Sequence, residues 1–111
     1  MLEEFLDTNA ALFADDYLVL KIDIEEMEHG DEIGKKLRRD REGGIPWIAI
    51  LDSEGTELVT SDGPSGNIGC PITAEECAYF VTMIEKTIQH APERRVAEIA
   101  TALTAFAQKK R

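Results

Sequence analysis

Residues 43–55 read Gly-Gly-Ile-Pro-Trp-Ile-Ala-Ile-Leu-Asp-Ser-Glu-Gly, and the topology of the chain turns on them. Trp47 to Leu51 is a continuous apolar run, the pattern of a strand covered on both faces. Pro46 has no N–H to give to a ladder and fits a strand only at its first residue. Gly43-Gly44 can stop a preceding helix. Asp52-Ser53-Glu54-Gly55 reads as a short hairpin loop, with Gly55 suited to a left-handed position. The spacing therefore predicts a strand over 46–52 and an antiparallel return over 56–61.

Upstream, Leu18, Leu20, Ile22 and Ile24 fall on one face at period two, which predicts a strand over 17–24. Before it, Leu2, Phe5, Leu6, Ala10, Leu12 and Phe13 recur at helical spacing, with an interruption expected at Asp7-Thr8, where Asp can cap a second short helix. After it, residues 25–30 form an acidic loop. A helix then starts at Asp31-Glu32, turns Ile33 and Leu37 to the core, and ends on the basic run Lys35 to Arg41.

Downstream, residues 62–71 are a loop rich in Gly and Pro. Thr73-Ala74-Glu75-Glu76 is a capping box, so a helix starts there, with Cys77, Phe80, Val81, Ile84 and Ile88 as its inner stripe. Pro92 suits the first residue of a last helix, whose apolar face is Val96, Ile99, Ala100, Leu103, Phe106 and Ala107. The order helix, strand, helix, strand, strand, helix, helix predicts an α/β or α+β sandwich with one tight hairpin.

Length and charge set outer limits. The 111 residues fit one domain. Twenty-two acids against 12 bases give a net charge of −10, which repels nucleic acid and anionic membranes at long range. The basic clusters at 35–41 and 109–111 lie at helix C-terminal ends, where cations complement the dipole. No apolar run has the length of a membrane span. Met1 to Asp7 is acidic and lacks the basic start of a signal peptide, so a cytoplasmic location is expected for the chain as written.

Gly44-Ile45-Pro46, placed before a hairpin and a final helix, resembles the thioredoxin-like superfamily, and its Gly-Gly-Ile-Pro-Trp context is most similar to the bacterial thiol–disulfide interchange type. The resemblance covers residues 1–90 and leaves 91–111 as an additional C-terminal helix packed on that domain. It implies an α/β thioredoxin-like sandwich that is incomplete at its N-terminus. It also implies a cis-proline turn at Ile45-Pro46, with Ile45, Pro46 and Trp47 as the place where an extended substrate peptide pairs. The strand and the Cys-x-x-Cys that the family carries before its first helix are absent. In the family that strand lies mid-sheet, so its loss leaves apolar edges, and a rearranged sheet or a homodimer that completes it is expected. The function that follows is a non-catalytic protein-interaction or self-associating module. The alternative is the C-terminal portion of a thiol–disulfide oxidoreductase whose catalytic segment lies outside this chain.

Other candidates carry little chemistry. Cys70 and Cys77 are the only cysteines. Cys77 reads as a small core residue on its helix stripe. Cys70 reads as a loop thiol just ahead of a helix N-terminus, where a thiolate is favoured. A reactive pair is the competing reading. Their spacing suits no zinc site. Asp23, Glu25, Glu26, Glu28, His29 and Asp31 fail the calcium-loop spacing and read as a solvated loop. His90 falls in an exposed turn between helices. The loop 61–69 suits a structural connection before a groove border. No phosphate loop or nucleophile elbow is present, and no cofactor is implied.

Overall fold

Phe5 is the centre about which the helices assemble. In the computed structural model, which describes residues 2–20, 29–38, 46–64, 66–90 and 92–110, its ring centroid lies 6.2 Å from that of Phe13, 6.3 Å from Phe80 and 5.3 Å from Phe106. These rings come from four helices: α1 (Leu2–Thr8), α2 (Ala10–Phe13), α4 (Ala74–Thr87) and α5 (Pro92–Lys110). Between α2 and α4 come α3 (Gly30–Arg38), β1 (Ala49–Leu51), β2 (Glu57–Thr60), β3 (Asp62–Gly63) and β4 (Gly66–Asn67). The contacts with Phe13 and Phe80 are edge-on, a geometry that adds to the stabilisation from burial itself.

Helix α4 starts where the capping box puts it. The Glu76 N–H donates to Thr73 Oγ1 (3.1 Å), and the Thr73 and Ile72 N–H groups donate to Glu76 Oε1 (3.0 and 3.1 Å). Three otherwise orphaned donors are thereby satisfied. The Thr73 N–H bond holds the Glu76 carboxyl below its ordinary value, against the opposing effect of partial burial. The helix ends as Ile88 turns extended. Pro92 then opens α5, as its fixed φ allows. Ile99, Leu103 and Ala107, spaced by four, are fully buried. On α4 the buried set is Phe80, Met83 and Ile84, with Cys77, Val81 and Ile88 partly buried against it. Met83 joins the stripe read from the sequence.

The N-terminal helix breaks at Asn9 rather than at Asp7-Thr8. The Asn9 side-chain amide and backbone N–H both donate to the Phe5 carbonyl (2.9 and 3.1 Å). A side chain that occupies the preceding turn's acceptor competes with helix continuation.

The hairpin is shorter than its apolar run. β1 and β2 pair antiparallel, Ala49 with Thr60, Ile50 with Val59 and Leu51 with Glu57, so a bulge leaves Leu58 unmatched. Asp52 Oδ1 accepts from the Glu54 and Thr56 N–H groups (both 2.9 Å), and Gly55 takes φ +85°. Only glycine adopts that conformation without strain. Residues 62–71, read as a loop, contain a miniature hairpin, β3–β4, closed with Gly66 at φ +106°.

Residues 17–20 are not in a strand, unlike the expectation for 17–24; residues 21–24 lie outside the described set. Ile33 and Leu37 are half-buried and stand apart from the main core cluster. Among the described residues no helix is long and apolar enough to cross a membrane.

Candidate functional site

Pro46 and Trp47 are tied to residues of the loop that follows the hairpin. Pro46 is exposed, but its carbonyl accepts from the Asn67 side-chain amide (2.9 Å). Trp47 Nε1–H donates to Asp62 Oδ2 (2.9 Å), and the Arg38 guanidinium carbon stands 5.3 Å from the indole centroid. Such stacking fixes the indole plane. Ile45 and the Ile45–Pro46 peptide bond lie outside the described residues.

Behind the turn sits Ser61, fully buried and saturated. Its Oγ accepts from the Ile48 N–H (2.9 Å) and donates to Asn67 Oδ1 (2.6 Å). Its N–H donates to the Ile48 carbonyl (2.8 Å), and its carbonyl accepts from the Ile68 N–H (2.9 Å). Tyr79, on α4, brings its hydroxyl to 3.0 Å from the Thr60 carbonyl and 3.2 Å from that of Asp62. Its ring lies where a Cβ on Gly63 would meet it at 3.4 Å. The loop 61–69 therefore serves as a clamp between hairpin and helix.

Cys70 and Cys77 are not joined by a disulfide, and both pack against the core cluster. Burial pushes the Cys70 thiol up, and the Glu76 charge adds to this. A thiol raised in this way is protonated at neutral pH, the opposite of an activated nucleophile. Cys77 Sγ lies 3.8 Å from the Pro71 carbonyl, a weak S–H contact.

The open surface lies elsewhere, at the end of a strap over residues 15–17. Arg95 Nη2 meets Asp15 Oδ2 at 3.1 Å, and Arg95 Nη1 meets the Ala11 carbonyl at 3.4 Å. Asp16 Oδ1 accepts from the Gln89 N–H (3.0 Å), the His90 N–H (3.1 Å) and His90 Nδ1 (2.9 Å). The Asp16 side chain is 4% exposed, that of His90 68%. Burial pushes the Asp16 carboxyl up, but the His90 ring and the two N–H bonds outweigh it, so the group stays below its ordinary value. The Tyr17 hydroxyl meets Thr87 Oγ1 at 2.6 Å, and burial raises its phenol.

Beyond this strap, Leu18, Val19 and Leu20 are 87%, 44% and 76% exposed. Val19, the least exposed of the three, borders a depression of about 330 Å³ lined by Leu6, Ala10, Phe13 and Tyr17. None of the three makes a backbone hydrogen bond to any described residue. Period-two spacing signalled this segment in the sequence; its exposure was not legible there.

No three His, Cys, Asp or Glu side chains gather as a metal site among the described residues. His29 adopts φ 62° and pairs with Glu32 at 3.4 Å. The other acids of that loop lie outside the described residues or have no described side chain. Comparison with protein-family models, curated proteins and solved structures gives no match.

Proposed function

We propose that the chain is a non-catalytic protein-interaction module of thioredoxin-like descent, and that its binding element is Leu18-Val19-Leu20 rather than the proline turn. One observation carries this reading: three consecutive apolar residues stand open, and their N–H and C=O groups make no bond to a described residue. Such an edge takes up an extended segment by strand addition, in which main-chain bonds give affinity and alternate side chains give selectivity. Full burial of Leu18 and Leu20 by a partner is worth about 1.5–3 kcal/mol each before the costs of association. The descent is supported by the Gly-Gly-Ile-Pro-Trp stretch followed by a hairpin and a capped helix. The lack of Cys-x-x-Cys, together with a Cys70 thiol that burial pushes up, speaks against dithiol chemistry.

Selection of ligands from a random library of extended peptides tests the reading. Enriched peptides should bind the chain and fail to bind a Leu18→Ser, Leu20→Ser variant, while a Trp47→Phe variant keeps them. Enrichment that survives the double substitution overturns it. So does reduction of insulin disulfides by the chain.

A further inference from the structure

We infer that His90 Nε2 is a nucleophilic acceptor site for an uncharged activated carbonyl compound, an ester or anhydride, and that Asp16 is the positioning residue that makes it one. This goes beyond the interaction reading and does not rest on it. The Asp16 side chain is 4% exposed, and its Oδ1 is pinned by the Gln89 and His90 N–H groups (3.0 and 3.1 Å). Its neighbours are held as well: Asp15 meets Arg95 Nη2 at 3.1 Å, and the Tyr17 hydroxyl meets Thr87 Oγ1 at 2.6 Å. The Asp16 carboxyl lies below its ordinary value, so it is ionised at neutral pH and can only accept. The 2.9 Å contact between Oδ1 and His90 Nδ1 therefore puts a hydrogen on Nδ1. In the neutral ring the free lone pair is then on Nε2. The His90 side chain is 68% exposed, and Nε2 makes no hydrogen bond to a described residue.

A buried carboxylate that orients a histidine, fixes its tautomer and faces the positive charge that builds on it is the arrangement used in acyl transfer. Among the described residues no hydroxyl or thiol is bonded to Nε2, so the ring itself is the nucleophile. Its lone pair attacks the carbonyl carbon, and the C–O bond to the leaving group breaks. The leaving oxygen takes the electron pair, and the Nδ1 proton passes to solvent, which leaves a neutral acyl-imidazole. The chain's charge of −10 repels anionic donors, so the donor is uncharged. His29 is the other histidine of the chain and supplies the contrast. Its side chain is 66% exposed, almost as open as that of His90, but its Nδ1 stands 3.4 Å from a Glu32 carboxylate that is itself 79% exposed. An exposed pair of that kind holds a ring weakly.

Diethyl pyrocarbonate, an uncharged anhydride, tests this on the whole chain at mildly alkaline pH, where a histidine ring is ordinarily neutral. Peptide mapping by mass spectrometry should show His90 modified about tenfold faster than His29. Nitrogen–proton NMR of the rings should place the hydrogen of His90 on Nδ1. Asp16→Asn should bring the His90 rate down to that of His29, with an unchanged circular dichroism spectrum showing that the variant folds. Equal rates for the two rings in the unaltered chain overturn the site. A hydrogen on His90 Nε2 overturns the positioning by Asp16, as does a folded Asp16→Asn chain that keeps the difference in rate. If that variant does not fold, the rate ratio and the tautomer of the unaltered chain decide.

Discussion

Ser61 and Asp16 each tie together distant parts of the chain through one small polar group. Ser61→Ala removes a fully buried hydroxyl, the acceptor of the Ile48 N–H and a donor to Asn67 Oδ1, which keeps the Gly69 N–H (3.3 Å). Urea denaturation should show a loss of about 1–3 kcal/mol, the cost of stranding buried polar groups. Asp16 makes a pH-dependent contribution. Its carboxyl lies lower in the folded chain than in the unfolded one, so the unfolded chain binds its proton first as pH falls. The stabilisation is complete above the unfolded value, about 3.9, and drains away as pH drops through the lower folded value. Asp16→Asn should therefore flatten the acid limb of the stability curve, followed by thermal melts from neutral pH downward. An unaltered limb would show that the strap does not depend on this charge. Neither residue was picked out from the sequence, because a lone Ser or Asp gives no sign of partners as far off as Gln89 and His90.

At the scale of elements, the capping box was fully legible: Thr73 and Glu76 make both reciprocal bonds within four residues of chain. Thr73→Ala should cost about 1 kcal/mol by chemical denaturation. The Gly55 turn and the Pro92 start were legible for the same reason, since both depend on backbone preferences of the residue itself. The break at Asn9 and the hairpin β3–β4 were not. Each depends on a choice between near-equal local conformations that a side-chain hydrogen bond or a neighbouring helix tips. For residues 17–20 the period-two pattern predicted a strand, but they pair with no described residue, because a ladder needs a partner strand at the correct height, which spacing along one segment does not supply.

For the whole molecule, the core is centred on Phe5, where α1, α2, α4 and α5 meet. Phe5→Ala should cost about 3–5 kcal/mol and lower the melting temperature sharply. By contrast, Leu18→Ser with Leu20→Ser should leave the melting temperature nearly unchanged, since both side chains already face solvent. A large drop in calorimetry would mean that the segment is covered in solution, and the proposed edge would fall with it. The sequence by itself determined the helical stripes, the cap, the hairpin and the acidic charge, because periodicity, capping and charge are properties of residues close along the chain. Only the tertiary structure decided that Phe5 is the hub, that the turn around Trp47 is closed by Asp62 and Asn67, and that Leu18 and Leu20 are left open. Those outcomes depend on which distant surfaces meet, and a local pattern gives each residue a preferred face without saying what, if anything, will cover it.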